Sequence, residues 1–290
     1  MKISRVFDDF VKDEIVLVGL SSKTEETYRC FYHLVLKNLG DVDVDKIDVP
    51  TVRKLRENLS RYQKPDTVRG YVVCLRVFLK YCQNNGINLS INIDNIKVPR
   101  REKRKIDILT EEEVAEFIEL AGMQRRGYCH KNLARNVAIM KTLYSSGIRV
   151  GELCALNRNS IKNRQFTVIG KSKEPRLCFI NNEAEEAIEH YLDLRSDANV
   201  ALFISSQNEE RIRSGNVREI FKNTCDISNG KFVNVHPHTL RHCFATKMLD
   251  RRVDIRYIGA MMGHASLDTT KIYTHYSDPK LREIYENANV

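Results

Sequence analysis

Residues 21–40 read SSKTEETYRCFYHLVLKNLG, with apolar positions at Tyr28, Phe31, Tyr32, Val35, Leu36 and Leu39. Steps of three and four line one face of an α-helix. Ser22 and Glu25 form a capping-box pattern at its start, and Gly40 supplies a stop. The pattern extends in both directions. Upstream, residues 1–18 predict a preceding helix. Downstream, Val52, Leu55, Leu59 and Tyr62 mark a helix closed by Pro65. Val68, Tyr71, Val72, Leu75, Leu79 and Cys82 mark another that ends near Gly86. Residues 1–95 are therefore predicted to form a small all-helical domain.

Residues 96–107 break this pattern. They contain Pro99 and then RREKRK at 100–105, five basic residues in six, with no apolar face. They read as a charged linker. A second domain is predicted over 108–290, opening on a capping box at Thr110 and Glu113. A helix over 132–146 carries Leu133, Val137, Met140 and Tyr144 and stops at Gly147. QFTVIG and PRLCFI flank GKSKE, the pattern of a hairpin. Helices are expected over 183–194 and 217–225, and Pro237 sits in the first turn of HTLRHCFATKML. Asp254 and Ser266 each cap a short helix, and a tail helix is expected over 279–286. The fold class is mainly α, with one small antiparallel sheet in the second domain.

A chain of 290 residues with 42% hydrophobic side chains can bury a sizeable core. No apolar run approaches the ~20 residues of a membrane span. The opening MKISRVFDDFVKDE is too charged for a secretory signal, so the expected location is cytoplasmic. Eight cysteines without a C-x-x-C pair read as buried free thiols in a reducing compartment. Charge is uneven. Residues 1–48 carry 7 basic and 10 acidic side chains, whereas residues 49–106 carry 14 basic and 4 acidic. Such a block suits a polyanion. The polyanion is most simply the backbone of DNA or RNA, and the candidates to contact it are Arg53, Lys54, Arg61, Lys64, Arg69 and Arg76, followed by Arg100, Arg101, Lys103, Arg104 and Lys105 in the linker.

The second domain places polar residues at element ends. Arg149 follows the Gly147 stop in SGIRVGEL. Glu152 lies three residues on, where it can hold the guanidinium. Lys171 and Lys173 sit at the hairpin tip. His238 and Arg241 share a helix face, His264 follows Gly263 at a turn, and Tyr273 comes nine residues later. These are the parts of a metal-free phosphodiester transesterification. Two arginines neutralise the non-bridging oxygens of a pentacoordinate phosphorane. A lysine can protonate the leaving 5′ oxygen. Histidines can accept the tyrosine proton or hydrogen-bond the phosphate. Tyrosine, with a pKa near ~10, needs that help to act as a nucleophile. A covalent phosphotyrosine conserves the bond energy, so rejoining needs no ATP, and no cofactor is implied.

SGIRVGEL, GKSKEPR, HPHTLRHCFATKML and MMGHASLDTTKIYTH follow one another across about residues 107–277. In order, spacing and wording this series resembles the tyrosine recombinase, or phage integrase-type, family, and within it the Xer group. The resemblance implies a helical core-binding domain that clamps DNA and a catalytic domain that closes on it. Arg149, Lys171, His238, Arg241, His264 and Tyr273 match the catalytic set, with Tyr273 the nucleophile that forms a 3′-phosphotyrosine. Glu152 matches the acidic residue that supports the first arginine, and Lys173 stands close enough to Lys171 to share its assignment. Gly151 departs from the serine common in relatives, and Met262 from leucine. The resemblance further implies a tetramer on paired double-stranded DNA sites, C-terminal tail exchange between protomers, and resolution of chromosome dimers. A type IB topoisomerase draws on a similar residue set. His236, His238, His242 and His264 allow a metal hydrolase as another reading, and a non-catalytic DNA-binding module is a third.

Overall fold

The computed structural model describes residues 1–16, 19, 22–100, 108–123, 127, 129–170, 174–263 and 278–288. The chain divides into two compact units, residues 1–105 and 106–290.

In the first unit, α1 (Ile3–Val16), α2 (Ser22–Leu39), α3 (Val49–Tyr62) and α4 (Pro65–Asn84) surround Phe7, Phe10, Phe31, Phe78 and Leu79. Phe7 stacks on Tyr32 with centroids 4.2 Å apart, and Phe10 meets Phe78 edge-on. Such pairs add about 0.5–1.5 kcal/mol beyond burial. The Asp48 carboxylate caps α3 by accepting from the Thr51 N–H, and Pro65 opens α4 where a missing N–H costs nothing. Tyr62, expected on the packed face of α3, is 84% exposed because the helix ends on it.

The first residues of the expected linker pack on this unit. Ile96 is buried in its core, and its carbonyl accepts from Arg76 Nη1 at 2.7 Å. The Pro99 carbonyl accepts from Arg69 Nε at 3.1 Å. Two cations of α4 thus hold the segment that leaves it.

The second unit contains α5 (Glu111–Gly122), α6 (His130–Ser146), α7 (Val150–Ala155), β1 (Gln165–Ile169) and β2 (Pro175–Phe179). It continues with α8 (Asn182–Asp193), α9 (Ser214–Asp226), α10 (Pro237–Asp250), α11 (Ile255–Met262) and α12 (Asp278–Asn287). The Thr110–Glu113 box opens α5 with both reciprocal bonds formed. Helix α6 runs through the middle, packed against α5, α8 and α10. Enclosed on several sides, it buries polar residues as well as apolar ones, and each finds a partner. Arg135 donates to the Ile204 carbonyl at 3.0 Å, and the Thr142 hydroxyl to the Ala138 carbonyl at 2.7 Å.

The two strands pair antiparallel, with Phe166 opposite Cys178 and Val168 opposite Arg176. Arg176 therefore shares a face with three buried residues. A smaller core of Phe179, Phe244, Met248, Ile258, Met261 and Met262 receives Tyr285 and Ala288 from the C-terminal end. The Tyr285 hydroxyl donates to the Ser145 carbonyl at 2.8 Å. Helix α12 is thus seated on its own chain.

The side chain of Ser22 and the short helix expected after Ser266 lie outside the described residues. Cys74, Cys82, Cys178 and Cys243 are buried and Cys154 and Cys225 partly so. Cys30 and Cys129 are exposed and depart from the reading of the cysteines as buried free thiols. Among the described residues no helix is long and apolar enough to cross a membrane.

Candidate active site

Gly147 ends α6 in the left-handed region, at φ 62°. The turn it allows delivers Arg149 to the N-cap of α7. Glu152, one turn into α7, accepts from the Arg149 N–H at 2.7 Å and from Arg149 Nη1 at 3.2 Å. One carboxylate thus caps the helix and holds the guanidinium.

A second arginine shares that carboxylate. Arg176 of β2 forks onto Glu152, Nη1 to Oε1 at 2.8 Å and Nη2 to Oε2 at 2.6 Å. Bidentate charge-assisted pairs are the strongest of this kind. Burial alone would raise the Glu152 pKa. The bonds from Arg176 and the Arg149 N–H, and both positive charges, outweigh burial and hold it below its ordinary value.

Helix α11 ends at Met262, with Gly263 as its left-handed cap. Its last carbonyls would otherwise be orphaned. Three successive carbonyls go to three arginines. Met261 O accepts from Arg176 Nε at 2.8 Å, Met262 O from Arg241 Nη2 at 2.5 Å, and Gly263 O from Arg149 Nη2 at 2.9 Å. Cations at a helix C-terminus also complement its dipole. Arg241 further donates from Nη1 to the Gly147 carbonyl at 2.6 Å, which ties together the turns before Arg149 and after α11.

Arg241 is only 5% exposed. Burial, then the charges of Arg149 and Arg176, bring its pKa down to about 10. Arg149 and Arg176 share one carboxylate and Arg241, close by, bonds only carbonyls among the described contacts, so the cluster carries excess positive charge. A phosphorane dianion would balance it. Arg149 keeps its side chain partly exposed at 31%, as contact with a phosphate requires.

His238 lies one turn before Arg241 on α10 and is exposed. Partial burial, then the charges of His236, Arg241, His242 and Arg149, press its pKa below the ordinary imidazole value. The lowered value favours the neutral ring, the form that can accept a proton. His236 is occupied as the N-cap of α10, where its Nδ1 accepts from the Thr239 N–H at 3.2 Å. Among the described residues no three His, Cys, Asp or Glu side chains converge as a metal site would need.

Lys171, Lys173, His264 and Tyr273 lie outside the described residues. The residues just before two of them stand at the cluster. A Cβ on Gly170 would come within 3.4 Å of Arg176 Nη1 and 3.7 Å of Glu152 Oε1, and one on Gly263 within 3.0 Å of Arg176 Nη1. The structure thus brings together Arg149, Glu152, His238 and Arg241 of the expected set and adds Arg176. Its signal is present in PRLCFI, where period-2 alternation puts an arginine on the face of Cys178 and Ile180. A charge on an apolar face demands a buried partner.

In the first unit Arg53, Lys54, Arg61, Lys64 and Arg100 are exposed. Arg69 and Arg76 are engaged with the 93–99 segment. Arg101, Lys103, Arg104 and Lys105 lie outside the described residues. Arg56 and Lys97, not singled out from sequence, line one groove with Arg53 and Arg61.

The phage integrase family model matches residues 107–280. Tyrosine recombinase XerC of Alcanivorax borkumensis is 33% identical over 87% of this chain and 82% of its own length. Tyrosine recombinase XerA of Pyrococcus furiosus is 31% identical over 99% of this chain and 95% of its own. Among solved structures, a lambda integrase tetramer bound to a Holliday junction shares the fold, with a TM-score of 0.72 at 17% identity. That match covers 94% of this chain and 81% of the integrase chain.

Proposed function

The chain belongs to the phage integrase family, as a tyrosine recombinase of the Xer type that breaks and rejoins DNA at specific sites, and on that premise we propose how it does so. Tyr273 attacks the scissile phosphate and forms a 3′-phosphotyrosine. Arg149 and Arg241 neutralise the phosphorane. Lys171, with Lys173 beside it, protonates the leaving 5′ oxygen. His238 and His264 hydrogen-bond the phosphate or accept the tyrosine proton. The convergence of Arg149 and Arg241 on the turn that leads into His264 carries this reading. Protein acceptors hold both guanidiniums in place before any phosphate arrives, so little reorganisation would oppose the transition state.

The biological task we propose is resolution of chromosome dimers at a short site in the cytoplasm, in a tetramer built on two paired duplexes. The exposed cations Arg53, Lys54, Arg61 and Lys64 would contact backbone phosphates. Residues 1–95 would then serve as the core-binding domain and 108–290 as the catalytic domain. In the tetramer α12 would leave its own seat for the equivalent seat of a neighbour. Its small buried footprint around Tyr285 and Ala288 suits an element that can be traded between identical sites. A protein cut after residue 277 that still forms active tetramers would count against exchange.

The deciding experiment uses a nicked suicide duplex bearing a Xer-type site, in EDTA, resolved on a denaturing gel. Wild type should form a protein–DNA adduct that Tyr273→Phe does not. An adduct persisting in Tyr273→Phe would show that another nucleophile acts. An adduct on any sequence, with relaxation of plasmids by single protomers, would favour a topoisomerase.

A further inference from the structure

The geometry points to Arg176 as a positioning residue for the cleavage reaction: it fixes Glu152 so that Arg149 faces the scissile phosphate. The inference rests on the reading of Arg149 as a phosphate ligand.

Glu152 has two oxygens and four hydrogen bonds on them. Arg176 occupies both oxygens through its fork, and the Arg149 N–H takes Oε2. The Arg149 side chain is left a single bond, Nη1 to Oε1 at 3.2 Å, the longest of the four. Its other terminal nitrogen therefore goes to the Gly263 carbonyl. Without Arg176, Glu152 could take Arg149 in a fork of its own, which would turn the guanidinium away from the phosphate. Arg176 also ties two segments that carry proposed reacting groups. Its Nε holds Met261 O, two residues before Gly263, and its Nη1 lies against Gly170, the residue before Lys171.

Lysine cannot do this. An ammonium offers no planar fork, so it cannot grip both Glu152 oxygens and reach Met261 O in one plane. Arg176 is itself 11% exposed and makes all these bonds inward. It is placed to act on the reaction through Arg149 rather than by touching DNA.

The test compares wild type, Arg176→Lys, Arg149→Ala and the double variant on two nicked duplexes. One carries an ordinary scissile phosphate and the other an uncharged methylphosphonate there. Melting and site binding are measured alongside. Arg176→Lys should lower the adduct rate about 100-fold on the phosphate, the scale of a catalytic group misplaced by about 1 Å. On the methylphosphonate, which is neutral until attack and then develops one negative charge rather than two, most of that loss should vanish. Added to Arg149→Ala, Arg176→Lys should cost little more, as residues acting through one group do. Equal losses on both duplexes, an additive double variant, a wild-type rate, or failure of Arg176→Lys to fold would each overturn the positioning role. No wild-type adduct would instead remove the reading beneath it, and the inference with it.

Discussion

Arg149 Nη2 donates to the Gly263 carbonyl at 2.9 Å across 114 residues of sequence. Arg241 and Arg176 take the two preceding carbonyls. The C-terminus of one short helix therefore serves as the template on which three guanidiniums are arranged. Their mutual repulsion is relieved by those carbonyl dipoles, by the Gly147 carbonyl that Arg241 also bonds, and by Glu152, the one carboxylate that Arg149 and Arg176 share among the described contacts. That leaves the cluster ready for an anion.

Glu152→Gln should leave Arg149 and Arg176 without their carboxylate. Breaking a buried pair from one side costs roughly 3–5 kcal/mol. The pH dependence has a definite sign. The Glu152 pKa is lowered from its ordinary value of 4.5, so its contribution is present above pH 4.5 and is lost as pH falls through the folded value. Urea midpoints from pH 7 to 3 should fall less steeply below pH 4.5 for the variant than for wild type. Parallel curves would show that Glu152 carries no such linkage.

The His238 ring should titrate below the ordinary imidazole value of 6.5 in the DNA-free protein. A histidine with a depressed pKa destabilises the fold only on acidification, as pH drops below 6.5 towards the folded value. NMR titration of the ring protons, assigned with His238→Gln, gives the midpoint directly. A value at or above 6.5 would contradict the effect of burial and the surrounding positive charges.

Gly147→Ala should be among the most damaging small substitutions. The backbone there is left-handed, which costs an L-residue about 1–2 kcal/mol. Its Cβ would also fall inside the Phe244 ring contact. Relief of that clash moves the carbonyl that Arg241 holds, so the adduct rate should fall as well as the melting point. Gly151→Ser is the control. A Cβ there meets nothing within 4 Å, and stability should stay within about 0.5 kcal/mol of wild type. Equal losses for the two would refute the argument.

Replacing Arg53, Lys54, Arg61 or Lys64 with alanine should flatten the dependence of DNA affinity on salt. Removing one cation from a phosphate lowers the log–log slope by about 0.9. Arg69→Ala and Arg76→Ala should act differently, lowering the stability of the first unit because each holds a carbonyl of the 93–99 segment. Fluorescence anisotropy between about 50 and 200 mM salt, with melting of the same proteins, separates the two groups.

Local signals read well from the sequence because they are carried by a few neighbouring residues. The Thr110–Glu113 box, the Gly147 stop and Pro237 at the start of α10 depend on contacts within four residues. Apolar spacing marks which face of α3 and α4 is buried, though not where α3 stops, and so it places Tyr62 on the wrong side. The segment after α4 is hard to read for a similar reason. RREKRK marks charge, but it does not reveal that Ile96 is packed or that Arg69 and Arg76 reach across to hold the chain.

The sequence alone determined two mainly helical units and the pair of antiparallel strands, and it supplied the proposed series Arg149, Lys171, His238, Arg241, His264, Tyr273. These follow from short-range sterics, hydrophobic period and motif wording. Only the tertiary structure decided that Arg176 closes on Glu152 and that Met261, Met262 and Gly263 each accept from a different arginine. Periodicity says which face of an element is buried but not what it is buried against. The partner of a buried charge is set by how separate elements pack, and no local pattern records it.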